Sequence, residues 1–260
     1  MKAIFRFIAA NNFLPIVNTY ICFSYFSKIT GGDKRLEFFA FGAALACWLF
    51  YYIDKLKDNK DRIFHSDDRH FLSKTDKTIQ WSIGIILTLL TLYNFSPFYI
   101  TELGLPLIIF ITGMAYLKVA DSPEKTAKEL VSSLMITTAV GLIPVQFQHG
   151  IRDYWPCIVF FMMIYGNMAA LSIIDKEYDS TYNFSSMAAK SGTRTTALVF
   201  TFTAVIALTT AFFMARSAMF IWVIVWMLLH TLALLIYKKT DHNLLHIITD
   251  LAFLYPLSRL

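Results

Sequence analysis

Long runs of apolar residues, separated by short polar stretches, dominate the chain. The runs are continuous rather than alternating, and backbone groups in lipid must be satisfied internally, so they are predicted to be helices and not barrel strands. A span needs roughly 17–25 residues; the ninth run is shorter and carries Asp250. The predicted spans are 10–28, 36–54, 79–97, 99–117, 128–147, 154–174, 196–214, 218–237 and 244–259. This pattern predicts an all-α polytopic membrane protein that forms a single domain over residues 1–260.

Composition agrees with that prediction. The chain is 57% hydrophobic and 16% charged, whereas soluble domains are roughly a quarter charged. The net charge of +5 is modest, and no basic run is both long and free of acids, so nucleic-acid binding is not expected. The three cysteines lie in apolar segments without metal-type spacing, which favours buried small hydrophobic side chains.

The basic residues are distributed unevenly between the two predicted membrane faces. With nine spans, 17 of the 23 Lys and Arg residues fall on the face that carries the N-terminus and the loops after even-numbered spans. Positive residues concentrate in cytoplasmic loops. The N-terminus and these loops are therefore predicted to be cytoplasmic, with the C-terminus on the opposite side of a membrane such as a bacterial inner membrane.

Two pairs of aspartates repeat along the chain. Asp54 and Asp58 end the second span, Asp175 and Asp179 follow the sixth, and the two pairs are offset by 121 residues. Residues four apart share one face of a helix. The sequence thus predicts an internal pseudo-repeat with motif helices 36–58 and 154–179, and repeats of this kind often place a site at their interface.

Four carboxylates facing one cavity repel each other and are costly near hydrocarbon. A divalent cation relieves that repulsion, and Mg²⁺ typically combines one or two carboxylates with substrate phosphates and water. The repeated pairs therefore favour a site that holds a diphosphate through Mg²⁺. A single pair beside lysines would be ordinary solvated charge; two copies in equivalent helices favour function.

These motifs resemble those of the UbiA superfamily of intramembrane prenyltransferases. "FYYIDKLKD" keeps the last two acids of the family's N-D-x2-D-x3-D motif, with Phe50 and Tyr51 in place of Asn and Asp. "DKEYDSTYN" follows the second motif, D-x3-D-x3-D, with Asn183 in the third place. The family often carries Tyr near Lys after the fourth span, and "YLK" supplies Tyr116 and Lys118.

The resemblance implies a nine-helix bundle with a central cavity that opens to lipid and is capped by cytoplasmic loops. In such enzymes Mg²⁺ holds a polyprenyl or isoprenyl diphosphate, which ionises to an allylic cation that a lipophilic acceptor traps. The expected metal ligands are Asp54, Asp58, Asp175, Asp179 and Asn183.

Basic and aromatic side chains near the motifs extend the expected site. Fixed positive charge stabilises a diphosphate leaving group, and aromatic faces stabilise carbocations. Tyr51 and Tyr116 are expected to shield the cation, and Lys118 to act in catalysis as well as in binding. The candidates for diphosphate binding are Lys118, Arg62, Arg69, Lys190 and Arg194.

Other functions remain open from the sequence. A terpene cyclase of the same superfamily would trap the cation with the substrate's own double bonds. A cation-binding transporter would use the acids for a transported ion, although they lie at one face and not at the midplane. His242 and His246 are spaced for one helix face and suggest zinc, but the sequence offers no obvious third ligand, so this pair is predicted to be structural.

Overall fold

The computed structural model describes residues 13–31, 35–61, 77–98, 102–119, 128–147, 153–181, 186–214 and 217–259. Within these ranges the regular structure is helical throughout, without strands. The prediction of an all-α protein is therefore confirmed for this part of the chain.

The helices are numbered here in chain order. Residues Thr138–Leu142 form a π-helical turn between α5 and α6, and Tyr237–Lys239 and Ala252–Arg259 form 3₁₀ turns before and after α11. The helices are α1 (Phe13–Ile29), α2 (Arg35–Asp61), α3 (Lys77–Phe95), α4 (Gly104–Val119), α5 (Lys128–Thr137), α6 (Ile143–Gln146), α7 (Trp155–Ile174), α8 (Lys176–Thr181), α9 (Met187–Phe213), α10 (Ser217–Ile236) and α11 (His242–Leu251).

Five helical stretches in the described residues are long and apolar enough to cross a membrane. Shorter apolar helices lie at Trp81–Phe95, Gly104–Gly113 and Leu244–Ser258. The structure is therefore compatible with an integral membrane protein, while the count of nine spans stays a prediction. The five stretches are Arg35–Ile53, Glu129–Gln146, Trp155–Ile174, Met187–Phe213 and Ser217–Ile236.

Large apolar side chains point outward from the helices. Phe213, Leu235 and Tyr93 are 79%, 78% and 76% exposed. So much exposed apolar surface would be unfavourable in water, and it fits contact with lipid.

The interior of the bundle is filled by aromatic rings. Trp222 of α10 is fully buried, its ring centroid lies 5.4 Å from that of Tyr25, and its Nε1 donates to the carbonyl oxygen of Ala252. Phe26 of α1 meets Phe160 of α7 edge to face, with centroids 5.2 Å apart. Buried rings in these geometries stabilise beyond the area they bury, and here they join α1, α7, α10 and the C-terminal segment.

A buried polar pair joins α7 to α10. Nε2 of His230 lies 2.7 Å from Oδ1 of Asn167, and Nδ1 lies 2.8 Å from the carbonyl oxygen of Trp226. Both oxygens accept, and a neutral ring carries one proton, so it donates to one of them at a time. The pair places a hydrogen bond between the two helices inside an otherwise apolar region.

Contacts between helix ends agree with a bundle in which successive long helices alternate in direction. Arg35 at the start of α2 pairs with Glu102 just before α4, with Nη1 and Oε1 3.2 Å apart. Asp175 at the end of α7 meets His242 at the start of α11. If the helices alternate in direction, the two helix ends joined by each contact lie on the same face of the bundle. The contact of Arg35 with Glu102 and that of Asp175 with His242 then lie on opposite faces.

Two helices depart from regular geometry for identifiable reasons. Pro144 lacks an N–H and its ring crowds the carbonyl four residues earlier, and the π-helical turn lies directly before it. In α9, Gly192 has φ 81° and interrupts the helix. That conformation suits glycine, so residues 187–191 form a short turn before the long apolar part of α9.

Candidate functional site

The acid pair after α7 lies at a small break in the helix. The N–H of Asp175 closes the last turn of α7 by donating to the carbonyl oxygen of Leu171, at 2.8 Å. The carbonyl of Asp175 in turn accepts from the N–H of Asp179, also at 2.8 Å, within the new helix α8. Asp175 is therefore held at the junction between an apolar helix and a polar one.

Two histidines converge on one oxygen of Asp175. His242 and His246 are four residues apart on α11, so their rings share a face, and the ring centroids are 4.5 Å apart. Nε2 of His246 lies 3.0 Å from Oδ1 of Asp175, and Nε2 of His242 contacts the same oxygen. The three side chains are 20–31% exposed, which leaves the cluster accessible to water.

The electrostatics of Asp175 are set by opposing effects. Burial alone would raise the pKa of this carboxyl, but the charge of His246 and the hydrogen bonds from both histidines hold the pKa well below its ordinary value. The carboxylate is thus charged at neutral pH, and it offers a strong acceptor to any cation that enters the cluster.

The start of α9 is fixed at the same face. The N–H of Met187 donates to Oε1 of Glu129 at 2.6 Å, and the N–H of Ala188 donates to Oγ of Ser172 at 2.7 Å. Ser186 caps the helix by accepting from Ala189. These bonds satisfy backbone donors that a helix start leaves unpaired, and they tie α9 to α5 and α7 beside Asp175.

The first acid pair lies in α2. Asp54 and Asp58 fall within its last two turns, since the helix continues to Asp61; their side chains lie outside the described part of the structure. Tyr51, one turn earlier, is half-buried. Phe50 packs toward α4: a Cβ on Gly113 would lie 2.8 Å from its ring.

The remaining predicted site residues divide between described and undescribed positions. Tyr116 and Lys118 belong to the last turn of α4, and their side chains are outside the described residues, as are Arg62, Arg69 and Asn183 entirely. Asp179 is half-buried in α8, whereas Lys190 and Arg194 are exposed on either side of the break at Gly192. Among the described residues, the structure brings Asp175 and Asp179 near the start of α9.

A shallow apolar groove of about 400 Å³ runs between α7 and α9. Its wall begins at Thr195, next to Arg194, and includes Tyr165 and Thr203 as its other polar residues. The other lining residues are Phe161, Met162, Leu198, Val199 and Phe202. A groove of this chemistry suits a hydrocarbon chain more than a polar ligand.

Sequence reasoning missed the contact between the second acid pair and the histidines. Their ligand atoms, one from each of Asp175, His242 and His246, lie within 4.8 Å of one another. A signal was available: the i, i+4 spacing places both rings on one face, and the ninth predicted span starts on the face where the sixth ends. Asp175 is the third donor that the sequence did not reveal.

No family model matches the chain, and no curated protein or solved structure matches it either. The resemblance to intramembrane prenyltransferases therefore depends on the motif residues and on the order of the helices.

Proposed function

We propose that this protein is an intramembrane prenyltransferase of the UbiA type, which ionises an isoprenyl diphosphate and transfers the prenyl group to a lipophilic acceptor. The observation that supports this most is the repeated aspartate pair. Asp54 and Asp58 occupy the end of α2, and Asp175 and Asp179 follow α7 at the same spacing. With helices that alternate in direction, both pairs belong to one face, which we assign to the cytoplasm.

In the proposed reaction the bond between the allylic carbon and the diphosphate oxygen breaks, and the diphosphate leaves with the electron pair. The acceptor then forms a bond to the allylic carbon and loses a proton. Lys118, Arg62, Arg69, Lys190 and Arg194 are the candidate groups for the developing negative charge. Tyr51 and Tyr116 are the candidates to shield the cation.

The donors near Asp175 limit how Mg²⁺ could be held. Mg²⁺ prefers oxygen ligands, and Oδ1 of Asp175 already meets two imidazoles. Asp54, Asp58, Asp179 and Asn183 suit Mg²⁺ by their chemistry, and Asp175 could add its other carboxylate oxygen, Oδ2, while Oδ1 keeps its histidine contacts. When bound, Mg²⁺ would neutralise diphosphate charge and favour its departure.

The groove between α7 and α9 offers a place for the isoprenyl chain. Its wall is mostly apolar and includes Thr195, the residue after Arg194 in the chain. A substrate with a charged head and a hydrocarbon tail would set its head at the polar face and its tail along the helices, which fits this arrangement.

The test is an assay of pyrophosphate release. Protein purified in detergent is incubated with Mg²⁺ and allylic diphosphates of several chain lengths, with and without quinone-type acceptors. Release that needs an acceptor, with a prenylated product, supports the proposal. Release without acceptor, with a hydrocarbon or alcohol product, points instead to a cyclase.

Substitutions in the two acid pairs test whether the reaction needs them. Asp54→Asn and Asp179→Asn are expected to lower the rate by at least about 100-fold, since each removes charge that positions the diphosphate. Glu102→Gln, an acid on the opposite face that pairs with Arg35, is the matched control and should leave the rate unchanged. Absence of release from folded protein under every condition would overturn the proposal.

A further inference from the structure

We propose that Asp175, His242 and His246 form a binding site for one divalent transition-metal ion of the zinc class. This inference concerns metal binding alone and does not depend on prenyl transfer.

The arrangement of donor atoms carries the proposal. Two Nε2 atoms approach a single carboxylate oxygen from neighbouring turns of α11, and all three ligand atoms fit within 4.8 Å. Atoms that bind one Zn²⁺ at about 2.0–2.2 Å lie within about 4.4 Å of one another, so the cluster is near the required spacing. The cluster thus needs only small side-chain adjustments to surround an ion.

The chemistry of the donors selects the class of metal. Imidazole nitrogen suits Zn²⁺ and other late transition metals, whereas Mg²⁺ and Ca²⁺ favour all-oxygen sets. One carboxylate and two histidines give a three-ligand set, as in protein sites that keep a further position for water. Partial exposure of all three side chains provides an entry path and room for that water.

A metal ion and protons compete for the same donor atoms of the cluster. A half-buried carboxylate that accepts from two imidazoles requires a proton on each Nε2. A metal ion at both Nε2 atoms displaces these protons, to solvent from a cationic ring or to Nδ1 from a neutral ring, and its charge offsets that of the carboxylate.

The site joins elements that are distant in the chain. Asp175 ends α7, and the histidines begin α11 some 67 to 71 positions later. A bound ion would therefore join the C-terminal helical segment to the end of α7, and binding should raise the thermal unfolding temperature.

The experiment is a metal titration of the full-length protein, purified in detergent without a polyhistidine tag and stripped with a chelator. Co²⁺ is the probe, because its visible absorption reports imidazole coordination, and Zn²⁺ is added as competitor. We expect one Co²⁺ per chain, displaced by one equivalent of Zn²⁺. No saturable binding above the level of buffer and detergent would overturn the proposal.

Variants locate the site. His242→Gln, His246→Gln and Asp175→Asn are each expected to weaken Co²⁺ binding by about 10-fold or more, because each removes or weakens one of the three ligands. Glu177→Gln, an exposed acid two residues from Asp175, should bind as the parent does. Equal binding by parent and histidine variants would place the ion elsewhere and overturn the assignment.

A second measurement needs no variant. Modification of histidines by diethylpyrocarbonate, read residue by residue by mass spectrometry, should decrease at His242 and His246 when Zn²⁺ is present. Unchanged modification of both rings at saturating Zn²⁺ would contradict the site even if the variants fail to fold.

Discussion

Nε2 of His246 lies 3.0 Å from Oδ1 of Asp175, which joins the start of the last helix to the end of α7 across 71 positions of the chain. His242 reaches the same oxygen from one turn earlier. The contact is partly shielded from water, so it should contribute more to stability than an ion pair at an open surface.

Replacing Asp175 by Asn should destabilise the metal-free protein in a pH-dependent way. The charged hydrogen bonds are worth about 1.5–3 kcal/mol, so a lower unfolding temperature is expected at pH 5. The folded-state pKa of this carboxyl is depressed below its ordinary 3.8. Its contribution is therefore present above that value and is lost as the pH falls through the folded pKa.

The measurement is thermal unfolding of parent and Asp175→Asn, followed by circular dichroism in detergent with chelator. The difference between them should be full at pH 5 and shrink below pH 3.8. Glu177→Gln, in the same short helix region but exposed, controls for loss of an acid. A difference that stays constant to pH 3 would show that the hydrogen-bonded charge is not its source.

Gly166→Ala should destabilise the packing of α7 against its neighbours. A Cβ at this position would lie 2.7 Å from Oγ1 of Thr203 and 2.7 Å from the ring of Trp226. Relieving such overlap in a packed interior costs about 1–3 kcal/mol. The unfolding temperature in detergent measures the effect.

Gly104→Ala is the matched control for that substitution. Gly104 starts α4, and an added Cβ meets nothing within 4 Å. Alanine is also the better helix former, so this variant should be as stable as the parent or slightly more so. Equal stability of both variants would mean that α7 does not approach its neighbours as closely as the structure has it.

Glu129→Ala should loosen the start of α9. Glu129 is 7% exposed, and its carboxylate accepts from the N–H of Met187. Losing an acceptor at a helix start costs about 0.5–2 kcal/mol, and Glu129→Gln, which keeps an oxygen there, should lose less. Amide hydrogen exchange of residues 187–191 reports the change directly.

The control for the loosened helix start is Glu37→Ala, an exposed acid in the first turn of α2. It should leave exchange at residues 187–191 unchanged. If Glu129→Ala and Glu37→Ala gave the same exchange there, the bond to Met187 would not be what orders this turn.

Much of the helical order could be predicted from the sequence, because apolar runs bounded by polar residues specify where helices lie in a lipid environment. The predicted span 154–174 and the helix Trp155–Ile174 nearly coincide. The predicted span 196–214 covers most of the apolar part of α9 that follows Gly192, whereas the helix itself starts at Met187. Hydropathy does not detect the short turn 187–191 that precedes Gly192.

The candidate site was less predictable, because it depends on how helices rotate and which ends meet. The spacing of Asp175 and Asp179 predicted that they share a helix face. It did not predict that the side chain of Asp175 points toward α11. His242 and His246 had the spacing of ligands without a visible partner. The sequence pattern shows which residues share a face of one helix. Which residue of another helix they contact depends on tertiary packing.

The buried pair of Asn167 and His230 bears on that rotation. Close packing such as that at Gly166 already restricts how α7 turns about its axis, and a hydrogen bond adds a requirement on direction that apolar contacts lack. The hydrogen bond between Asn167 of α7 and His230 of α10 forms at one rotation of α7 about its axis. Asn167 precedes Asp175 by eight residues, about 12 Å along the axis and roughly 80° around it. The hydrogen bond to His230 thus fixes the rotation of α7 about its axis. A substitution at Asn167, about two turns before the end of α7, would change the direction in which the carboxylate of Asp175 points.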